Sequence, residues 1–178
     1  LLQGPAWPAG QAAPLGSQMI GFGDSVMSGS APALYQRFGG IYLDAKPIRQ
    51  WKDAPRSVQR ALDAGILRRV VVLNYGTNAG LEGPNSQAAL RKVLDLIGPR
   101  RRVVIFEVVG VSDWVPSTNE TLHRIAAEYP NVAVAPWNEI ANTFPGLLHR
   151  DRTHPNMKGI QAYAELLSQT LVKLGPGD

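Results

Sequence analysis

The chain has 178 residues, the size of one domain, with 44% hydrophobic and 18% charged residues. That supplies enough apolar material for a core and too little charge for a disordered chain. Eighteen Lys and Arg against fourteen Asp and Glu give +4, well short of a nucleic-acid footprint. Cysteine is absent from the sequence, which excludes disulfides, thiol catalysis and thiolate metal sites. No window approaches the roughly 18 uninterrupted apolar residues of a bilayer span.

Residues 1–17 hold three Pro, three Gly and four Ala with no charge and no apolar period. They read as a linker or tether arm, ahead of one domain at 18–178. The arm lacks the basic start and continuous apolar stretch of a signal peptide. A start at Leu1 rather than Met suggests a processed chain or a piece of a longer one.

Short apolar runs follow at 19–22, 41–43, 70–74, 103–109 and 132–135. Rich in Val and Ile and mostly not alternating, they suit strands buried on both faces. Helix signals lie between them. Asp53, Pro55 and Gly65 bracket one helix. Asn85 or Ser86 opens a second, with Leu90, Val93, Leu94 and Ile97 on one face and Gly98 past its end. Ser117 with Glu120 reads as a capping box ahead of Leu122, Ile125, Ala126 and Tyr129. The last helix carries Ile160, Tyr163, Ala164 and Leu167 on one face. Strands alternating with helices predict an α/β fold, a five-stranded parallel sheet covered on both sides as a three-layer α/β/α sandwich. Chemistry is then expected in the loops at the carboxyl ends of the strands.

The segment after the first run is read as a loop, residues 21–29. A dinucleotide fingerprint fails there because Val26 stands where a third glycine is needed. A nucleophile elbow fails at Met27 for the same reason. What remains is Gly23-Asp24-Ser25, a surface turn or a nucleophile. A serine needs a base oriented by a third group. Of three histidines, His123 sits off the apolar stripe of its helix and reads as a solvated residue, and nothing distinguishes His149. His154 follows Asp151 at a spacing that lets the carboxylate reach its Nδ1–H. An acyl-transfer site also needs oxyanion donors, and Gly76-Thr77-Asn78 closes the third run with a side-chain amide.

These blocks together resemble the SGNH (GDSL-type) hydrolase superfamily, with Gly23-Asp24-Ser25, Gly76-Thr77-Asn78 and Asp151-x-x-His154 in order. Within it the chain is similar to the extracytoplasmic domain of peptidoglycan O-acetyltransferases over roughly residues 18–173. Asp44-Ala45-Lys46, Arg49-Gln50 and His154-Pro155-Asn156-x-x-Gly159-x-x-x-Tyr163-Ala164 carry that likeness. The resemblance implies a flavodoxin-like SGNH fold, Ser25 as nucleophile, His154 as base and then acid, and Asp151 as its orienting partner. Asn78 and the Ser25 N–H would hold the oxyanion, beside Gly76. The superfamily's second-block glycine is missing from Lys46-Pro47-Ile48-Arg49-Gln50, and Ala79 replaces the aspartate that often follows the asparagine. Arg49 reads equally as an ion-pair partner or a substrate contact, and Trp114 as a sugar platform or a loop anchor. Trp51 and Trp137 read as packing residues.

The implied activity is transfer of an acetyl group through Ser25 onto a cell-wall glycan hydroxyl, muramic acid being the natural acceptor. An esterase with the same triad and an inert glycan-binding module are the rivals. The implied partners are an acyl donor, a glycan acceptor and an N-terminal multi-pass membrane unit. The expected location is extracytoplasmic and membrane-tethered, with the fragment monomeric. No cofactor is expected, no metal because the histidines lack paired ligand spacing, and no nucleic acid. Arg68-Arg69 and Arg100-Arg101-Arg102 precede strands, at the end opposite the site, and read as solvated turn residues.

Overall fold

The computed structural model describes residues 15–175. Residues 1–14, most of the expected arm, lie outside the described residues. Residues 15–17 join the domain, because Gly16–Gln18 form a 3-10 turn and Gly16 is buried against the backbone of Phe38 and Gly39. Arg68 holds that turn. Its Nη1 donates to the carbonyls of Gly16, Met19 and Gly40 at 3.2, 3.0 and 2.7 Å. It is therefore a clamp across three chain segments and not a solvated turn residue. Arg101 likewise donates to the Ile97 carbonyl at 2.8 Å, satisfying the end of a helix.

Strands β1 (Met19–Gly23), β2 (Tyr42–Ala45), β3 (Val70–Asn74), β4 (Arg102–Phe106) and β5 (Val132–Ala135) form one parallel sheet in the order β2-β1-β3-β4-β5. The helices are α1 (Ser25–Arg37), α2 (Ala54–Asp63), α3 (Pro84–Ile97), α4 (Val115–Ala126), α5 (Trp137–Thr143) and α6 (Met157–Leu174). Successive strand residues serve opposite layers, as the two-residue period of a strand requires. Val70, Val72, Val104 and Phe106 pack with residues of α1, α5 and α6. Val71, Leu73, Val103 and Ile105 pack with residues of α2, α3 and α4. In β1, β3 and β4 the apolar runs are continuous because both faces are covered, and the three-layer sandwich is the result. β2 and β5, expected to be buried on both faces as well, lie at the sheet edges and are only partly buried. Trp51 and Trp137 are buried in these layers as expected.

Local departures from the sequence expectation have local causes. The run at 103–109 leaves the sheet after Phe106. There Asn119 takes over the Val108 backbone, accepting from its N–H at 2.8 Å and donating to its carbonyl at 2.9 Å. No capping box forms at Ser117, since α4 starts at Val115 with Pro116 in its first turn. The Ser117 hydroxyl instead lies 2.6 Å from Glu82 Oε1 and 3.0 Å from the Trp114 carbonyl, with one hydrogen to donate between them. Asp53 precedes α2, but its carboxylate accepts from Gln50 N–H at 2.9 Å and so closes the 3-10 turn Trp51–Asp53. The segment read as a loop at 21–29 becomes a strand end and the start of α1, whose Gly29 and interior Pro32 hide it from propensity reasoning.

Candidate active site

α1 begins one residue beyond β1 because Asp24 ends the strand and caps the helix. Its Oδ1 accepts from Val26 N–H at 2.9 Å, the geometry that satisfies an orphan donor of a first helical turn. Gly23 makes the sharp entry possible, as a Cβ there would press on Met27 of α1 and the Asn74 carbonyl. Ser25 is therefore the first helical residue at the carboxyl end of β1, a strand flanked by β2 and β3. Its own N–H has no place in the helical ladder, and the positive end of the helix lies at its hydroxyl.

His154 reaches this hydroxyl from the loop before α6. The loop is pinned by an antiparallel bridge between Leu148 and Pro155, with His149 N–H donating to the His154 carbonyl at 2.9 Å. Asn156 caps α6, its side-chain oxygen accepting from the N–H groups of Lys158 and Gly159 at 3.0 Å each. His154 Nε2 lies 2.8 Å from Ser25 Oγ, and its Nδ1 lies 2.7 Å from Asp151 Oδ2. Asp151 Oδ1 accepts from the Thr153 and His154 N–H groups at 3.0 Å each. Desolvation alone would raise this carboxyl. The bonds from Thr153 N–H, the His154 ring and His154 N–H outweigh it and hold the group at about 2. An ionised carboxylate only accepts, so the Nδ1 facing it carries hydrogen. In the neutral ring that leaves the Nε2 lone pair aimed at the serine hydroxyl.

Arg49, Asn78 and β2 form the neighbouring wall. The Arg49 guanidinium is committed to Asp44, donating to its carbonyl from Nη1 at 2.7 Å and pairing with Oδ1 from Nη2 at 2.8 Å. Arg49 thus forms the ion pair, one of the two roles open to it. Its own carbonyl accepts from Asn78 Nδ2 at 3.2 Å, which fixes the amide and leaves its second hydrogen to donate elsewhere. Gly76 has φ +106, and a Cβ there would meet Val108, Thr118 and Trp51. Trp114 is half-buried with its pyrrole edge against Gly80, in the manner of a loop anchor. Ser25, His154 and Asp151 thus join in one hydrogen-bonded chain. Asn78 is tied to Arg49, while Gly76 and Trp114 pack around the loop after β3.

Among the described residues, the non-glycine positions at positive φ are Ile48 (61°), Ala79 (67°) and Arg152 (57°). Ile48 and Ala79 each adjoin one member of the Arg49–Asn78 contact, and Arg152 lies between Asp151 and His154. Strain of this kind collects where a loop must hold a fixed geometry.

Asp24 carries more than the sequence reading gave it. It is fully buried, and burial pushes its carboxyl up to about 6 against the Val26 N–H, neighbouring Thr77 and the His154 charge. Its N–H donates to the Asn74 carbonyl at 3.0 Å, and the Asn74 side chain accepts from the Tyr163 hydroxyl at 2.7 Å. The turn that carries Ser25 is thereby knitted to β3 and α6. The legible signal was an Asp just before a helix start. His123 is not merely solvated either: its Nε2 lies 2.7 Å from Glu107 Oε1. His149 is exposed.

The described residues include no group of three or more His, Asp or Glu placed to hold a metal, and no helix long and apolar enough to cross a membrane. No family model matches the chain. It is 23% identical over 154 residues to "Putative peptidoglycan O-acetyltransferase YrhL" of Bacillus subtilis (strain 168). That match covers 86% of this chain but 24% of the relative, so the chain spans about a quarter of that protein's length. Among solved structures, the C-terminal catalytic domain of Streptococcus pneumoniae peptidoglycan O-acetyltransferase A (OatA), carrying a methylsulfonyl adduct, is similar with TM-score 0.77. Its identity is 16%, over 88% of this chain and 93% of that one. A carbohydrate esterase family 3 from Talaromyces cellulolyticus is similar with TM-score 0.70 and 15% identity, over 88% and 96%. The fold is that of the SGNH (GDSL-type) hydrolases, as the resemblance implied.

Proposed function

We propose that the chain is the catalytic domain of an O-acyltransferase that moves an acetyl group through Ser25 onto a cell-wall glycan hydroxyl, with muramic acid as the acceptor sugar. The observation that carries the reading is the unbroken series Ser25 Oγ, His154 and Asp151, at 2.8 and 2.7 Å. In the first half-reaction Ser25 Oγ attacks the donor carbonyl while its proton passes to His154 Nε2. The oxyanion is held by the Ser25 N–H and the free hydrogen of Asn78 Nδ2. Collapse expels the donor's leaving group with the proton from Nε2 and leaves acetyl-Ser25. In the second half-reaction a sugar hydroxyl occupies the place of the leaving group and gives its proton to Nε2. It attacks the ester, and Ser25 recovers its proton as the glycan leaves acetylated. Asp151 keeps the imidazole in the tautomer both halves require.

The likeness to YrhL and to the OatA catalytic domain supports the choice of acceptor. It also supports an extracytoplasmic domain tethered to a membrane unit that would supply the acetyl group. An esterase is the second reading. The exposed rim favours it, since the His154 and Asp151 side chains are 39% and 49% exposed and water has access. Product analysis with an activated acetyl ester, with and without glycan, separates the two. The transferase gives acetylated glycan, and free acetate alone in both mixtures would establish the esterase. A serine-directed sulfonyl fluoride should mark Ser25. Failure to do so, with no turnover of donor, would leave an inert glycan-binding module.

A further inference from the structure

A groove of about 600 Å³ lies beside the candidate site, walled by the segment after β2 and the start of α2. Arg49, Lys52, Arg56 and Arg60 line it against a single carboxylate, Asp53. Asp44 behind it neutralises Arg49 at 2.8 Å and approaches Arg60 at 3.7 Å. Lys52 and Arg56 are exposed and take part in no ion pair among the described residues. Two cations thus face solvent in a concave surface, where a bound anion would meet both and displace little fixed structure. The lip is Ile48, a β-branched residue at φ 61 with 81% of its surface exposed. That conformation is one such residues avoid, and it holds an apolar side chain out in water beside the cations. The groove's wall is tied to the site through its backbone. Lys46 N–H donates to the Gly23 carbonyl at 3.1 Å, just before Ser25, and the Arg49 carbonyl accepts from Asn78.

We infer that this groove is an acceptor subsite for a carboxylate-bearing glycan, with Lys52 and Arg56 taking the acid group and Ile48 lying against a sugar's C–H face. The inference rests on the acyl-transfer reading for the kind of glycan involved. The carboxylate is then the lactyl acid of one muramic acid, and the next muramic acid along the alternating strand would bring its hydroxyl toward His154. A neutral glycan gains nothing from the two cations, so the groove discriminates by charge while leaving the chemistry at Ser25 unaltered.

The test is a calorimetric titration without acyl donor. The probe is an alternating N-acetylglucosamine–N-acetylmuramic acid tetrasaccharide, either with free carboxylates or as its methylamide. The free acid should bind at least about 10-fold tighter than the amide, the size expected of two exposed charge contacts, and salt should shrink the gap. In K52Q/R56Q the difference should fall to about 2-fold or less, and K52R/R56K should restore it. Equal binding of acid and amide, no binding of either, or discrimination that survives K52Q/R56Q would overturn the subsite. Acetyl transfer is read separately on the same glycans. Discrimination in binding with no transfer would sink the acyl-transfer reading and leave the subsite standing.

Discussion

Two histidines in this molecule each hold a carboxylate at 2.7 Å, His154 with Asp151 and His123 with Glu107. The pairs differ in what surrounds them. Glu107 is nearly buried, its Oε2 accepting from Asn138 N–H at 3.0 Å, and His123 covers it from solvent. That pair joins α4 to α5 and uses the ring nitrogen nearest the carboxylate. Asp151 lies at the surface, held by the N–H groups of its own turn, and presents a ring whose second nitrogen meets a hydroxyl at the start of a helix. A histidine beside a carboxylate is therefore no evidence of catalysis by itself. The second nitrogen and its partner separate the proposed proton shuttle from a tie between helices.

The largest effect should fall on the second nitrogen. His154→Ala should lower turnover of an activated acetyl ester at least about 10³-fold, whereas His123→Ala should change it less than about 3-fold. Comparable losses in both variants would break the distinction. Next come the carboxylates. Asp151→Asn should cost about 10²- to 10⁴-fold in kcat through the wrong tautomer, with a stability loss of about 1 kcal/mol or less because the side chain is half exposed. Glu107→Gln should do the reverse, costing about 1–3 kcal/mol in urea unfolding with the rate preserved.

The pH dependence of stability should show two carboxylates of opposite sign. Asp24 is raised to about 6 by burial, so the folded state binds its proton more tightly than the unfolded chain. Stability should fall as pH rises from about 4 to about 6, by up to about 3 kcal/mol from this group. Asp24→Asn should flatten that slope, as seen in urea unfolding at both ends of the window. Asp151 is lowered to about 2, so its contribution is lost as pH falls from about 4 to about 2. The smallest effect belongs to the turn that holds this pair. Arg152→Gly should relieve its left-handed strain and raise stability by up to about 1 kcal/mol, with the rate within about 3-fold.

The sequence made the inner strands legible because β1, β3 and β4 are buried almost throughout and read as unbroken apolar runs, whereas the edge strands β2 and β5 are only partly buried. It made Asp151 and His154 legible because they sit three residues apart, within one turn. Ser25 and His154 are 129 residues apart, and only the chemical need of a serine for a base connected them. The Glu107–His123 tie had no such requirement behind it, and it emerges only once α4 and α5 are packed against the end of β4. α1 stayed hidden behind Gly29 and Pro32, although Asp24 before Ser25 is a fair capping signal. Arg49 and Trp114 stayed open because a residue type alone does not reveal its neighbour. Asp44 beside Arg49 and Gly80 beside Trp114 are the neighbours the structure adds.

The most direct measurement of the central claim is intact-protein mass spectrometry of acetyl-Ser25 formed from an activated ester, chased with buffer or with a muramic-acid glycan. The account predicts one acetyl group on the peptide that contains Ser25, absent in Ser25→Ala. It also predicts a decay at least about 10-fold faster with glycan than without, the label appearing in the sugar. An adduct on another residue, or equal decay in both chases with all label in acetate, would contradict it.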